Sequence, residues 1–153
     1  MIIDNLAITG ALQISLNNEV VHQCDNLVVT GGKAWVANRF KNTVGGGFTQ
    51  LGQMTHMAIG SASTAAAVAN TTLATELNRL ALSTAGGVVS GVTVQYDATW
   101  SAATPAYSIQ EAGIFNHGTA GHADNSMLAR TVFAVINKGT NDTVSISWTI
   151  TIS

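Results

Sequence analysis

From Val144 to Ile152 the chain alternates without a break: Val144, Ile146, Trp148, Ile150 and Ile152 are apolar, and every residue between them is Ser or Thr. A period of two puts the apolar set on one face of a β-strand and the hydroxyls on the other. The same alternation runs through Val92, Val94, Tyr96, Ala98 and Trp100. Ala11 to Leu16 alternates as well and meets Asn17-Asn18, a turn dipeptide, before Glu19-Val20-Val21-His22-Gln23; this predicts a hairpin. Residues 54–60 and 107–116 read as further strands, and 79–83 as the start of another. Residues 127–136 are apolar at both parities, the pattern of a strand covered on two sides.

Helical spacing is rarer. Trp35, Val36, Arg39 and Phe40 fall on one face of a helix predicted over residues 30–41, with Thr30 as its N-cap. Thr71 or Thr72 would cap a second, brief helix through Leu73, Glu76 and Leu77. Residues 61–70, mostly Ala, Ser and Thr, have little to bury and read as an exposed loop that orders against a partner. Gly45-Gly46-Gly47 is a flexible break. Pro105 falls in the connection 101–106, where it interrupts no ladder; 118–125 is a polar loop and 137–142 the final turn. These elements predict a single, mainly β domain over residues 1–153. The expected architecture is an antiparallel β-sandwich of jelly-roll-like form, with one or two short α-helices and an N-terminal arm or hairpin over residues 1–25.

Composition changes this picture in one respect. Charged residues make up 9% of the chain, against about 25% in an ordinary soluble domain, while the hydrophobic share of 46% is average. The deficit therefore lies on the surface, where Thr, Ser, Asn, Gly and Ala replace Lys and Glu. Such surfaces suit burial against neighbouring subunits. A net charge of -2 and six scattered basic residues give no stripe for phosphate contacts, which argues against a nucleic-acid partner. The start of the chain has no basic segment leading into a long apolar run, and no stretch of about 18 apolar residues follows, so neither secretion nor membrane insertion is expected. Cys24 is the single cysteine, which rules out a disulfide within the chain and a cysteine-based zinc site.

Candidate chemistry is sparse. His117, His122 and Asp124 share one polar loop and would hold a metal if that loop folded back on itself; exposure or a subunit contact is the ordinary reading of such residues. His22 and Cys24 project to one side of an extended segment, without a carboxylate or oxyanion donor in reach of the sequence argument. The glycine run at 45–47 lacks the Lys-Ser/Thr ending of a phosphate loop. Glu111 sits in an apolar strand, where a bare carboxylate is costly, so an ion pair with Arg79 or Arg130 is expected. Trp35, Trp100 and Trp148 lie on apolar faces and read as core, with a sugar-stacking platform as the lesser alternative. No catalytic, cofactor-binding or metal-ligating residue is assigned.

Six segments carry a likeness: Asn26-Leu27-Val28-Val29-Thr30-Gly31-Gly32, His56-Met57-Ala58-Ile59-Gly60-Ser61, Thr72-Leu73-Ala74-Thr75-Glu76-Leu77, Gln110-Glu111-Ala112-Gly113-Ile114-Phe115-Asn116, Ser126 to Phe133, and Asn137-Lys138-Gly139 before the last strand. In that order they resemble small structural proteins of tailed bacteriophages, over most of the chain from Asn26 onward. The resemblance implies a non-enzymatic virion component. The expectation is a capsid decoration or cement protein on the outer capsid surface, assembled in the host cytoplasm, with the major capsid protein and its own copies as partners. Neither nucleic acid nor membrane is expected as a partner. Related strand arrangements also occur in tail, collar and fibre-associated proteins, which the resemblance leaves open. A carbohydrate-binding module using exposed aromatics is the alternative from another class.

Overall fold

The alternating C-terminal segment is the strand Val144–Ile152, and it occupies the middle of a sheet in the computed structural model, which describes residues 6–40 and 52–153. In chain order the elements are β1 (Ile8–Leu16), β2 (Glu19–Asp25), β3 (Leu27–Val28), α1 (Thr30–Phe40), β4 (His56–Gly60), β5 (Glu76–Ala81), β6 (Val88–Ser90), β7 (Thr93–Trp100), β8 (Tyr107–Phe115), β9 (Met127–Lys138) and β10 (Val144–Ile152). Two five-stranded antiparallel sheets result, ordered β2-β1-β10-β7-β6 (sheet A) and β3-β9-β8-β4-β5 (sheet B). The predicted N-terminal hairpin is β1–β2, and both turn residues, Asn17 at φ 51 and Asn18 at φ 68, occupy the left-handed region that a two-residue hairpin loop demands. Asn tolerates that region better than most residues, which is why the pair marks the turn in the sequence.

The sheets face each other across one apolar core. Sheet A contributes Leu12, Ile14, Tyr96, Ala98, Trp100, Val144, Ile146, Trp148 and Ile150; sheet B contributes Met57, Ile59, Ile109, Ala112, Ile114, Leu128, Phe133 and Ile136. Register explains the selection. Leu12 pairs with Trp148 and Trp148 with Tyr96, so one lateral row of large side chains crosses the centre of sheet A pointing inward. Trp100 and Trp148 are fully buried. Burying side chains of this size stabilises by roughly 1.5–3 kcal/mol each.

Sheet B is also covered on its other side, as the double-parity pattern of residues 127–136 predicted. Val29, Ala58, Leu73, Phe115 and Met127 form a second, smaller cluster there. A bulge between Ile114 and Phe115 shifts the β8–β9 register, and Phe115 and Met127 face outward into this cluster. Helix α1 begins against the same face. Gly32 is buried, and a Cβ at that position would overlap the backbone of Leu128, so glycine permits the close approach. Thr30 is the first residue of the helix rather than the cap ahead of it, a shift of one position. Trp35 and Val36 pack against the core, but Phe40 is 71% exposed, so the helix is less amphipathic than its spacing predicted.

The second predicted helix is absent. Residues 76–81 form β5, paired with β4 from His56↔Ala81 to Gly60↔Glu76. A short segment with one good cap gains little from isolated helicity, whereas the free edge of β4 offers a full row of backbone partners. Leu73, read as part of the helix, drops instead into the outer cluster of sheet B. The glycine run at 45–47 lies outside the described residues. Among the described residues no helix is long and apolar enough to cross a membrane.

Candidate functional site

Glu111 and Arg130 meet on the outer side of sheet B and are essentially inaccessible, at 0% and 1% exposure. The guanidinium donates to Glu111 Oε2 from Nε at 3.0 Å and from Nη2 at 2.8 Å. Neither group ends there. Glu111 Oε1 accepts from the backbone N–H of Thr75 at 2.8 Å, and Oε2 from that of Ala74 at 3.0 Å. Arg130 donates to the carbonyls of Thr64 and Ala65 and to Asn70 Oδ1. The pair thus holds the β4–β5 connection, residues 61–75, which contains the Ala/Ser/Thr loop 61–70, by its backbone. Charge burial is tolerated because nearly every donor and acceptor has a partner. The loop needs no external partner to be placed, contrary to the sequence expectation, although many of its side chains remain exposed.

Arg79, the alternative partner for Glu111, is committed elsewhere. It binds Glu76 through two parallel bonds of 2.9 and 2.7 Å, and its Nη1 donates to the carbonyl of His117 at 2.7 Å and to Asn125 Oδ1 at 3.0 Å. The guanidinium carbon lies 3.8 Å from the centre of the Phe115 ring. Arg79 therefore pins the loop between β8 and β9. Within that loop the rings of His117 and His122 stack at 3.8 Å, and each Nδ1 accepts a backbone N–H, from Thr119 and Asp124 respectively. Stacked rings present their nitrogens side by side rather than toward a common point. Among the described residues no three His, Cys, Asp or Glu side chains are placed to hold a metal ion. His56, which sequence reasoning passed over, stands beside this group; burial, then the charge of Arg79, hold its imidazole below the ordinary value.

His22 and Cys24 do share a face, but it is the inward face of sheet A. Cys24 Sγ lies 3.5 Å from Thr131 Oγ1, and the His22 ring packs on Phe133 with centroids 5.5 Å apart. They are packing residues. Lys138, also missed, is 2% exposed and donates to the carbonyls of Thr104 and Gly139 at 3.2 and 3.1 Å, tying the connection before β8 to the final turn. Trp35 differs from the other two tryptophans: it is half-buried, donates to the Gly52 carbonyl at 2.8 Å, and has Arg39 over its ring. Trp100 and Trp148 are sealed inside, so neither offers a sugar-stacking surface.

Arg79, Arg130 and Lys138 thus serve inside the molecule, which leaves the broad outer face of sheet A. Register arranges that face in lateral rows: Thr9, Thr151, Thr93, Ser90; then Asp25, Ala11, Thr149, Gln95, Val88; then Gln23, Gln13, Ser147, Asp97; then Val20, Ser15, Ser145, Thr99, with the two valines at the rims. Neighbours in these rows bond to each other, Gln23 to Gln13 at 2.8 Å and Thr99 to Ser145 at 3.0 Å. The five strands hold three carboxylates, Glu19, Asp25 and Asp97, and neither lysine nor arginine. A shallow trough of about 690 Å³ crosses the middle rows, lined by Gln13, Gln23, Gln95, Ser147 and Thr149 among others. This is the candidate functional surface: ordered, polar, almost uncharged and open. Compared with family models, curated proteins and solved structures, the chain matches none.

Proposed function

We propose that the chain is a non-enzymatic virion structural protein that decorates the outside of a phage head as a cement, binding the major capsid protein and copies of itself. The observation that carries this reading is the outer face of sheet A. Its hydroxyl and amide rows are preordered by a rigid sandwich, so contact with a shell orders few side chains and forfeits little entropy. Apart from the carboxylates of Asp25 and Asp97 the face has no charge to desolvate, and modest contact energies multiply over a repetitive lattice. The likeness to tailed-phage structural proteins supports the same reading. Tail, collar and fibre-associated proteins remain the runner-up, because the likeness extends to them.

Binding to preassembled shells is the direct test. It should saturate, require no cofactor and survive moderate salt, since screening weakens charge pairs and leaves neutral contacts nearly intact. Gln13→Lys or Ser147→Lys, each in the middle rows, should abolish binding while leaving the urea midpoint close to wild type. Location overrides all of this: a protein found only along the tail or at the portal vertex would make the tail reading the correct one.

A further inference from the structure

Sheet A ends in an edge that carries neither a charge nor a bulge; β3, the other such edge, is two residues long, with Val28 buried. β2, the opposite edge of sheet A, carries Glu19 and Asp25 and is bulged between its pairings with Ile14 and Ser15; β5, an edge of sheet B, carries Glu76 and Arg79. Charges and bulges of this kind keep a strand from pairing with strange chains. β6 has neither. Val88 and Val89 are 53% and 70% exposed, and Val92, in the adjoining turn, 64%. No residue from Thr84 to Val92 is charged.

The hairpin geometry says which groups are open. Ser90 pairs with Thr93 across a two-residue loop, so these two form the hydrogen-bonded pair next to the turn. The alternation of an antiparallel ladder then turns the N–H and C=O of Val89 away from β7, toward the free edge. We infer that β6 pairs antiparallel with β6 of a second copy about a two-fold axis at Val89, joining two A sheets into one of ten strands. The two Val89 residues would exchange both backbone bonds, with their side chains adjacent on one face. Charge selects this occupant. The same symmetric pairing at β2 would set Glu19 of one copy against Asp25 of the other, two like charges, whereas at β6 every cross-strand pair is neutral.

Size sets the strength. A three-residue strand with Val88 and Val89 on opposite faces falls short of the roughly 1,200 Å² of a stable interface. The free chain therefore associates weakly and with concentration, and the contact gains its full effect where copies are already held side by side. This inference does not depend on the shell reading, because purified protein tests it alone.

Sedimentation velocity of the wild-type chain from about 10 μM to about 1 mM should reveal a reversible monomer–dimer equilibrium. Val89→Lys and Val89→Glu should each raise the dissociation constant at least about tenfold, without moving the urea midpoint, since the side chain is exposed. Mixing the two variants should restore dimers, because opposite charges then meet at the axis. Val21→Lys, on the β2 edge, should leave association unchanged. A wild-type chain still monomeric at the top of the range overturns the proposal. So does a dimer that tolerates both Val89 variants, or variants that fail to rescue each other.

Discussion

At the residue scale, Tyr96 gives the sandwich a readable alkaline limit. Burial pushes its phenol up to about 12, against a small opposing pull from Arg39. The folded chain then keeps a proton that the unfolded chain releases near pH 10. Stability from this group is whole below about pH 10 and is lost as the pH climbs toward about 12. Urea midpoints measured across that window should fall more steeply for the wild type than for Tyr96→Phe. Parallel slopes would mean that the phenol is not the group sensed. The residue itself is visible in the sequence as one of an alternating series; its ionisation is not, because it depends on sheet B closing over it.

Two elements are held by ion pairs, and each makes a prediction. Glu111→Gln leaves Arg130 buried without its counter-charge and should cost about 3–5 kcal/mol. Replacing both partners with apolar residues, Glu111→Leu with Arg130→Met, rescues many buried pairs. Here it should not, since the N–H groups of Ala74 and Thr75 and the carbonyls of Thr64 and Ala65 would lose their partners together. Hydrogen exchange should then speed up across residues 61–75 in the double variant, and wild-type stability in that protein would refute the clamp. The β8–β9 loop responds to acid instead. His56 has a lowered folded value, caused first by burial and then by Arg79 and His117, so its contribution is present above about pH 6.5 and is lost as the pH falls. Glu76, His122 and Asp124 also face this cluster, and the His56→Gln variant isolates the one residue. Its stability should decline less than wild type between about pH 7 and pH 5.

For the whole molecule, the distribution of charge matters more than its amount. Half of the six basic residues lie in the interior clamps, and the widest surface is left without a basic residue, carrying only the carboxylates of Asp25 and Asp97. A protein acting as a shell cement should be present in hundreds of copies per particle, counted by mass spectrometry of purified virions. Particles lacking it should assemble but release their DNA at lower temperature or under osmotic shock. A dozen copies or fewer would instead fit a component of the tail.

The sequence alone determined the sandwich. Strict alternation in 92–100 and 144–152 fixed which side chains face inward, and the Asn17-Asn18 turn fixed the first hairpin, because both signals act between residues close in the chain. It also required a partner for Glu111, since a bare carboxylate cannot be buried. Only the tertiary structure chose Arg130 over Arg79, drew residues 76–81 into a strand rather than a helix, and paired β6, whose three residues are too few to carry a period. The mostly uncharged rows of sheet A were legible in part as the Ser and Thr positions of single strands, but their assembly into one surface depended on lateral register. Each of these later decisions joins residues far apart in sequence, where the contact that wins is the one that leaves fewest buried groups unpaired, and that balance is struck only once the sheets have met.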